Sequence, residues 1–218
     1  MTCCNSRRKP EWLKIKLPKG QSSTEVLNIV RKHNLHTICT SGMCPNQGEC
    51  WGNRTATFMI GGDVCTRSCK FCNVKTGRPA PLDPAEPENI ANSVKLLGLK
   101  HAVITSVDRD DLADLGAAHW VKVIEAVKRV NPETTMEVLI PDFQGRRELV
   151  QQVIEARPEV ISHNLETVRE LSDGVRSRAK YDTSLQVIRQ VSESGIVSKS
   201  GIMLGLGETR EQILQTMD

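Results

Sequence analysis

The chain has 218 residues, of which 39% are hydrophobic and 25% are charged, and its net charge is only +3. These proportions exclude intrinsic disorder, and no apolar run approaches the ~20 residues of a membrane-spanning helix. Six basic residues fall among the first 20, but no basic stretch elsewhere alternates with aromatic residues. We therefore expect neither a membrane nor a nucleic acid as a partner.

The first 54 residues are predicted to form an N-terminal extension. Residues 1–21 contain Pro10, Pro18 and Gly20 and are expected to be irregular. Ser22–Glu25 has the pattern of a capping box, which predicts that a short helix begins there. Residues 36–54 are rich in Cys, Gly and Asn and are predicted to be a loop.

A regular alternation of strands and helices is predicted from residue 55 onward. Its first strand is predicted over Thr55–Ile60, where Gly61-Gly62 ends it and a cysteine-containing loop follows. The other predicted strands are His101–Ser106, Thr134–Ile140, Glu159–His163 and Val197–Leu204. The predicted helices are Glu86–Gly98, Ala117–Val130, Gly145–Ala156, Thr167–Leu171, Thr183–Glu193 with Asp182 as its cap, and Glu208–Asp218.

Strands that alternate with helices are typical of a parallel sheet covered by helices, either a (βα) barrel or a doubly wound sheet. A complete barrel takes ~250 residues. The five predicted strands therefore indicate a partial barrel over residues 55–218, incomplete at its C-terminal end, preceded by the extension of residues 1–54. In such a barrel the functional residues lie at the carboxyl ends of the strands.

Cysteines give the strongest chemical signal. Six of the eight form a first triad and a second triad, and the last 146 residues contain none. The first triad is Cys39, Cys44 and Cys50, and the second triad is Cys65, Cys69 and Cys72. A secreted protein would spread its disulfides over the whole fold, and no apolar signal-peptide core is present, so we expect reduced thiols and a cytoplasmic location.

Clustered thiolates favour zinc or an iron–sulfur cluster. A structural zinc site closes with four ligands, whereas each triad stops at three. Three thiolates on a four-iron cluster leave one iron open to another ligand. The remaining pair, Cys3 and Cys4, is interpreted as incidental thiols in the N-terminal tail.

The loop Cys65-Thr-Arg-Ser-Cys69-Lys-Phe-Cys72, directly after a first barrel strand, resembles the signature of the radical SAM superfamily. The segment Cys39-Thr-Ser-Gly-Met-Cys44-Pro-Asn-Gln-Gly-Glu-Cys50-Trp is similar to the auxiliary-cluster loop of lipoyl synthases. Further similar stretches include Thr57-Phe-Met-Ile-Gly-Gly-Asp63, His163-Asn-Leu-Glu-Thr167 and Lys199-Ser-Gly-Ile-Met-Leu-Gly-Leu-Gly-Glu208. The resemblance covers nearly the whole chain from Arg8 onward.

Lipoyl synthases insert two sulfur atoms at C6 and C8 of an octanoyl chain carried on a lysine of a lipoyl-domain protein. The resemblance implies that the second triad holds a 4Fe–4S cluster whose open iron binds S-adenosylmethionine (SAM). It also implies that the first triad holds a second 4Fe–4S cluster, which donates the sulfur. Cleavage of SAM would give a 5′-deoxyadenosyl radical that removes hydrogen from an unactivated CH2, chemistry that belongs to the cofactor. All six triad cysteines are therefore candidate catalytic residues as well as ligands.

Polar side chains near the strand ends are the candidates to bind SAM. They are Thr105, Ser106, Asp108, Asn164, Glu166 and Lys199. Glu166 is expected to suit a ribose diol, and Lys199 or Arg176 is expected to neutralise a carboxylate. The five His residues show no metal-ligand spacing and are interpreted as structural or surface residues.

The sequence departs from the family in one respect. The family's auxiliary cluster takes a fourth ligand from an Arg-Ser-Ser-Tyr motif, which this sequence does not contain. The family also continues with a sixth strand beyond the position of Asp218. We therefore expect a truncated or shortened form, with an exposed edge on its last strand and a sulfur-donor cluster that lacks one ligand.

The resemblance implies octanoylated lipoyl-domain proteins as partners, either 2-oxoacid dehydrogenase E2 subunits or the glycine-cleavage H protein, and a low-potential electron donor. Two alternatives remain open. One is another sulfur-inserting radical SAM enzyme of the biotin synthase type, and the other is a non-catalytic zinc- or cluster-binding fragment. Analysis of the products formed from an octanoyl-lysine substrate would distinguish lipoyl synthesis from the first alternative. SAM cleavage by the reduced protein would distinguish it from a zinc-binding fragment, which cannot cleave SAM.

Overall fold

A computed structural model describes residues 24, 27–30, 36–52, 57–176 and 178–218. Residue 24 and residues 27–30 are helical, within the helix that the sequence predicts there. The other residues of the predicted capping box, the irregular residues 1–21 and the thiols of Cys3 and Cys4 lie outside the described residues. No helix in the described ranges has the length and apolar character needed to cross a bilayer.

The described strands and helices alternate along most of the chain. The strands are β1 (His36–Thr37), β2 (Thr57–Ile60), β3 (Val64–Cys65), β4 (Lys75–Thr76), β5 (His101–Ser106), β6 (Thr135–Leu139), β7 (Val160–Ser162) and β8 (Val197–Lys199). The helices are α1 (Ile38–Ser41), α2 (Gln47–Gly52), α3 (Glu86–Leu97), α4 (Ala117–Val130), α5 (Arg147–Glu155), α6 (Arg169–Val175), α7 (Tyr181–Glu193) and α8 (Arg210–Met217), with a 3₁₀ turn at Phe143–Gly145.

Six strands form one sheet in the order β1-β2-β5-β6-β7-β8. Pairing is parallel from β2 to β8, and β1 pairs antiparallel with β2. Among the described strands β8 pairs with β7 alone, so the sheet is an open part of a barrel. The predicted α/β architecture, a partial barrel with a mostly parallel sheet, is confirmed.

Alternation of side chains along the strands gives the sheet two different faces. One register row contains Phe58, Ile104, Val138 and Ile161, all of them buried in the main hydrophobic core. That core also contains apolar residues of α3, α4 and α5, so this face of the sheet packs against helices. On the next row, Met59, Thr105 and Leu139 line a cavity.

Three predictions about the elements need correction. The predicted loop over residues 36–54 contains β1, α1 and α2 instead, because Thr37 pairs with β2 and its side chain also accepts a hydrogen bond from the Thr40 amide at the start of α1. The predicted strand Val197–Leu204 is too long, because β8 ends at Lys199. Beyond it, Ile202 forms only an isolated bridge with Glu166, outside the strands.

The predicted cap of α7 is also misplaced. The helix begins at Tyr181 with Lys180 as its N-cap residue, so Asp182 lies in the first turn, where it forms an exposed ion pair with Arg169.

Replacing Ile104 with Ala is expected to lower the free energy of unfolding by about 2–5 kcal/mol, because the side chain is fully buried between the sheet and the helices. Urea unfolding followed by circular dichroism measures the change. Leu96→Ala is the matched control, since Leu96 is 60% exposed and its truncation is expected to cost less than about 0.5 kcal/mol. Equal losses for the two variants would contradict this assignment of the core.

Candidate functional site

A cavity of about 380 Å³ lies at the carboxyl ends of the parallel strands. All three cysteines of the second triad line it. Five of the six predicted SAM contacts line the same cavity, namely Thr105, Ser106, Asp108, Asn164 and Glu166. Loops that follow four different strands therefore meet around one space, as the barrel topology requires.

Lys199, the sixth predicted contact, is not among the residues that line the cavity. Its ammonium nitrogen lies 2.7 and 2.9 Å from the two carboxylate oxygens of Glu137, on β6. Lys199 therefore neutralises a carboxylate of the protein itself. Arg176, the other residue considered for this role, does line the cavity, as does Arg67.

Backbone pairing closes the loop that carries the second triad. Val64 and Cys65 pair with Lys75 and Thr76 in a short parallel ladder, and the Gly77 amide donates to the Cys65 carbonyl at 3.0 Å. The loop is also tied to the end of β5, because both the amide and the hydroxyl of Thr66 donate to the Asp108 carbonyl, at 3.1 and 2.9 Å. The two ends of the triad loop are thus fixed relative to the barrel.

Arg67, inside that loop, is buried among carboxylates. Its Nε and Nη2 donate to the two oxygens of Asp110, both at 2.8 Å, and Nη2 also donates to Asp142 at 2.8 Å. Burial opposes the charge of the guanidinium, but the bonds to Asp110 and the charges of Asp108 and Asp142 raise its pKa. Burial tends to raise the pKa values of Asp110 and Asp142, but their hydrogen bonds to Arg67 and its charge outweigh burial and hold both values below the usual range.

The Cys65 sulfur accepts two backbone hydrogen bonds, from the amides of Arg67 at 3.4 Å and Asp108 at 3.3 Å. Burial and the nearby Asp108 carboxylate raise the pKa of the Cys65 thiol to about 11. Burial also raises the pKa of Asp108 to about 6, against the attraction of Arg67. Amide donors aimed at sulfur are typical of iron–sulfur ligands, and a bound metal stabilises the thiolate form.

The second triad therefore fits an iron–sulfur cluster. In the described part of the chain, no three His, Cys, Asp or Glu side chains converge as ligands of a single metal ion would. A cluster is bulkier than one ion, so its thiolates stand farther apart. Three cysteines that line one cavity, with two amide donors to one sulfur, have the chemistry that such a cluster requires.

The first triad lies beside the same cavity. Cys39 is buried on α1, and Cys44 and Cys50 are half-buried against the main core. Burial, followed by the charges of Cys39 and Cys44, raises the pKa of Cys50, so the three thiols lie close enough to interact. Ile38 of α1 and Gly42 at its C-terminal end both line the cavity.

The loop after β7 places its polar side chains with little freedom. Glu166 has a left-handed backbone, with φ of 67°, and its amide and carbonyl bond to Gly201 and Met203. Such a conformation is uncommon for a residue with a side chain and is often found at functional sites. A Cβ atom on Gly201 would stand 3.3 Å from the Asn164 amide oxygen, so Gly201 leaves room for that side chain.

Charges around the cavity favour a cationic ligand. Its lining includes the carboxylates Asp108, Asp142 and Glu166 and the guanidinium groups of Arg67 and Arg176. Burial raises the pKa of Glu166, and Asn164 and Arg176 oppose that shift. With all of these groups ionised the carboxylates outnumber the cations by one, before any thiolate is counted.

Sequence reasoning missed three residues of this site. Arg67 and Asp142 are not among the predicted site residues, although an Arg between two cysteines and an Asp two residues beyond a predicted strand are both signals in the sequence. His163 is buried, which agrees with its interpretation as a structural or surface residue, but it also lines the cavity, which was not anticipated from the sequence. Its position at the carboxyl end of the predicted strand Glu159–His163 is the signal that the sequence offers.

We expect the stability of the protein to fall as the pH drops from about 6.5 toward 4, through His163. Burial lowers the pKa of His163 to about 4. The bond to the Ile140 carbonyl and the charge of Asp142 oppose this shift, and the charges of Arg176 and Arg67 add to it. The unfolded chain then binds more protons than the folded chain in this range, so this group makes the protein about 2 kcal/mol less stable at pH 5 than at pH 7.

Urea unfolding of the wild type and His163→Gln at both pH values measures this effect. The variant should lose less stability on acidification, and the difference between the two proteins isolates His163 from the other titrating groups. Identical pH dependence in the two proteins would contradict a buried neutral imidazole.

Comparison with known proteins agrees with this geometry. A model of the radical SAM superfamily matches residues 59–218. The chain is 68% identical to the lipoyl synthase of Treponema denticola over 218 residues, which is all of this chain and 74% of that protein. It is 64% identical to the lipoyl synthase of Parabacteroides distasonis over 211 residues, or 97% of this chain and 75% of that protein.

Solved structures support the fold alone. Methylornithine synthase superimposes with a TM-score of 0.59 at 15% identity, over 93% of this chain and 61% of that one. The FeFe-hydrogenase maturase of Carboxydothermus hydrogenoformans gives 0.62 at 14% identity, over 92% of this chain and 52% of that one.

The resemblance carried by the cysteine triads is thus confirmed by relatives matched along the entire chain. Their sequence identity to this chain, 68% and 64%, is far above the level at which two proteins share only a fold. The match to the radical SAM model, over residues 59–218, includes most of the sheet and most of the cavity lining. This chain belongs to the lipoyl synthase family of the radical SAM superfamily.

Proposed function

We propose that the chain catalyses the reaction of its family, the insertion of two sulfur atoms at C6 and C8 of an octanoyl group on a lysine of a lipoyl-domain protein. The observation that carries this proposal is the cavity, where the second triad meets polar residues from the ends of several strands. The protein is an enzyme that uses SAM and 4Fe–4S clusters and transfers sulfur.

In this proposal the second triad holds the cluster that binds SAM, and the first triad holds the cluster that donates sulfur. When bound, SAM and its cluster supply the one-electron chemistry that opens an unactivated C–H bond. The protein binds and orients the groups and limits the access of water. Thr105, Ser106, Asp108, Asn164 and Glu166 serve as SAM contacts. Lys199 is left out of this set, because it pairs with Glu137 and does not line the cavity.

The charges of the cavity support SAM as the ligand. SAM carries a sulfonium and an ammonium against one carboxylate, so it has a net positive charge. The excess of carboxylates over guanidinium groups in the lining attracts such a cation, and Arg176 supplies a partner for the single carboxylate. Glu166, half-exposed to the cavity in a fixed backbone conformation, is suited to accept hydrogen bonds from a ribose diol.

The position of the first triad supports its role as a sulfur source. Ile38, the first residue of α1, and Gly42, directly after α1, form part of the cavity wall. A substrate chain that enters the cavity would therefore pass the segment that carries the first triad. Residues 1–54 act in this proposal as the auxiliary-cluster extension, and residues 55–218 act as the SAM-binding partial barrel.

Lipoyl-domain proteins are the substrates of this family. We propose more narrowly that the octanoylated domain belongs to a 2-oxoacid dehydrogenase E2 subunit or to the glycine-cleavage H protein, that a low-potential reductant supplies electrons, and that the enzyme works in the cytoplasm. Assays with each purified octanoylated carrier compare the two candidates directly.

The proposed function is tested with anaerobically reconstituted protein, reductant, SAM and an octanoylated lipoyl domain. Two four-iron clusters would give about eight irons per chain. Mass spectrometry is expected to find a carrier that has gained two sulfur atoms, with 5′-deoxyadenosine and methionine as co-products. SAM cleavage without sulfur insertion would contradict the sulfur-insertion proposal, and zinc in place of iron would favour a metal-binding fragment.

A further inference from the structure

Three buried side chains form a hydrogen-bonded relay behind the cavity wall. His163 follows β7, Ser184 lies on α7, and Arg176 follows α6. The His163 Nδ1 atom is 2.9 Å from the Ile140 carbonyl oxygen, and its Nε2 atom is 2.9 Å from the Ser184 hydroxyl. The Arg176 Nη1 atom is 2.8 Å from the same hydroxyl. We refer to these three residues as the relay.

The positions of the hydrogen atoms in the relay follow from which groups can donate. The Ile140 carbonyl can only accept, so Nδ1 of His163 carries the proton and Nε2 is left as an acceptor. A guanidinium can only donate, so the Ser184 hydroxyl accepts from Arg176 and turns its own hydrogen toward Nε2. Each bond thus requires the next, and the relay has one consistent arrangement.

Arg176 is the member of the relay with a route to a ligand. His163 and Arg176 both line the cavity, whereas Ser184 is fully buried behind it. Among the described residues, the Arg176 side chain donates to the Ser184 hydroxyl and to the Leu165 backbone carbonyl, in both cases from Nη1. Nε and Nη2 are thereby left for an acceptor in the cavity. A long Arg side chain has many rotamers, so bonds that fix one of them lower the entropic cost of using it.

We propose that His163 and Ser184 are positioning residues, which act through Arg176 and hold its guanidinium in the orientation that binds the carboxylate of SAM. The inference rests on the proposed function, because SAM is the ligand that brings a carboxylate into this cavity. The relay fixes the direction of the guanidinium, and the ligand completes its hydrogen bonds.

The test uses four variants of the reconstituted protein. Ser184→Ala removes the shared hydroxyl. His163→Gln keeps an acceptor near the position of Nε2, so it retains the bond to Ser184, whereas His163→Asn keeps only a donor near the position of Nδ1. Ser93→Ala is the matched control, because Ser93 is also fully buried in a helix but donates to the Asn89 carbonyl of its own helix.

Two measurements are made on each variant. Equilibrium dialysis gives the Kd for SAM and for decarboxylated SAM, which lacks the carboxylate, and reductive SAM cleavage gives KM and kcat. We expect Ser184→Ala and His163→Asn to raise the Kd and KM for SAM about tenfold, the loss of one charge-assisted hydrogen bond, with little change in kcat. His163→Gln should lose less, and Ser93→Ala should match the wild type.

Decarboxylated SAM separates positioning from a general loss of structure. We expect all four variants to bind it as the wild type does, because the relay acts on the missing carboxylate. Equal weakening for both ligands, or equal losses for His163→Gln and His163→Asn, would overturn the relay. If the wild type itself fails to bind SAM, the proposed function fails instead, and wild-type binding without lipoylation leaves the relay test intact.

Discussion

Replacing Cys72 with Ala is expected to abolish SAM cleavage and to lower the iron content from about eight to about four atoms per chain. The Cys72 side chain is exposed at the cavity, so its removal costs little packing and acts mainly through the lost ligand. Iron and sulfide analysis, together with high-performance chromatography of 5′-deoxyadenosine, measures both effects.

A variant of the first triad should behave differently. Cys39→Ala is expected to lose about four irons as well, yet to retain SAM cleavage while sulfur insertion stops, because Cys39 lies on α1 and not in the second-triad loop. The double variant Cys3→Ala/Cys4→Ala is the matched control and should keep all iron and both activities. Full iron content in Cys72→Ala, or lost SAM cleavage in Cys39→Ala, would contradict this division of the two triads.

Replacing Arg67 with Met is expected to lower the free energy of unfolding by about 3–5 kcal/mol. The change keeps much of the side chain's length but takes the guanidinium away from Asp110 and Asp142, whose side chains are 4% and 3% exposed. Among the described residues, Asp110 then keeps only the longer ion pair with the exposed Arg178, at 3.4 Å. Anaerobic urea unfolding measures the loss. Arg146→Met is the control, since its ion pair with Glu148 is exposed and is expected to contribute less than about 1 kcal/mol.

Two further variants identify the cause of the Arg67 effect. Arg67→Lys should be intermediate, because one ammonium cannot reproduce the paired bonds to Asp110 together with the bond to Asp142. Adding Asp110→Asn to Arg67→Met should recover part of the stability, because it removes one buried carboxylate charge that has lost its two bonds to Arg67. If the double variant is instead clearly less stable than Arg67→Met, loss of the buried ion cluster is not the cause of the destabilisation in Arg67→Met.

The strands and helices of the barrel could be predicted because their signals are local. Runs such as His101–Ser106 and Ala117–Val130 carry their own periodicity and end signals, and both have the predicted bounds in the structure. The segment before β2 could not be predicted in this way. Its two-residue strand exists only through pairing with Phe58 and Met59, more than 20 residues away, and its Gly-rich composition gives no local sign of that contact.

In the candidate site, too, the residues with a local sequence signal could be predicted, and those that depend on distant partners could not. Strand-end residues such as Thr105 and Asn164 were accessible to sequence reasoning, because barrel topology says where strand ends meet. Lys199 was assigned to the cavity, but its partner Glu137 is 62 residues away on another strand, and the sequence pattern does not reveal their pairing. Arg67 was missed for a similar reason, since its carboxylate partners follow two different strands.

The antiparallel pairing of β1 with β2 implies that insertions and deletions are unevenly tolerated along the chain. The chain leaves the sheet after Thr37 and re-enters it at Thr57, so residues added to this connection, outside its cysteine spacing, need not move either strand. One residue added within β2 would exchange Phe58 and Met59 between the core and the cavity wall. Length variation should therefore concentrate before β2, while the interval from Thr57 to Cys65 stays constant.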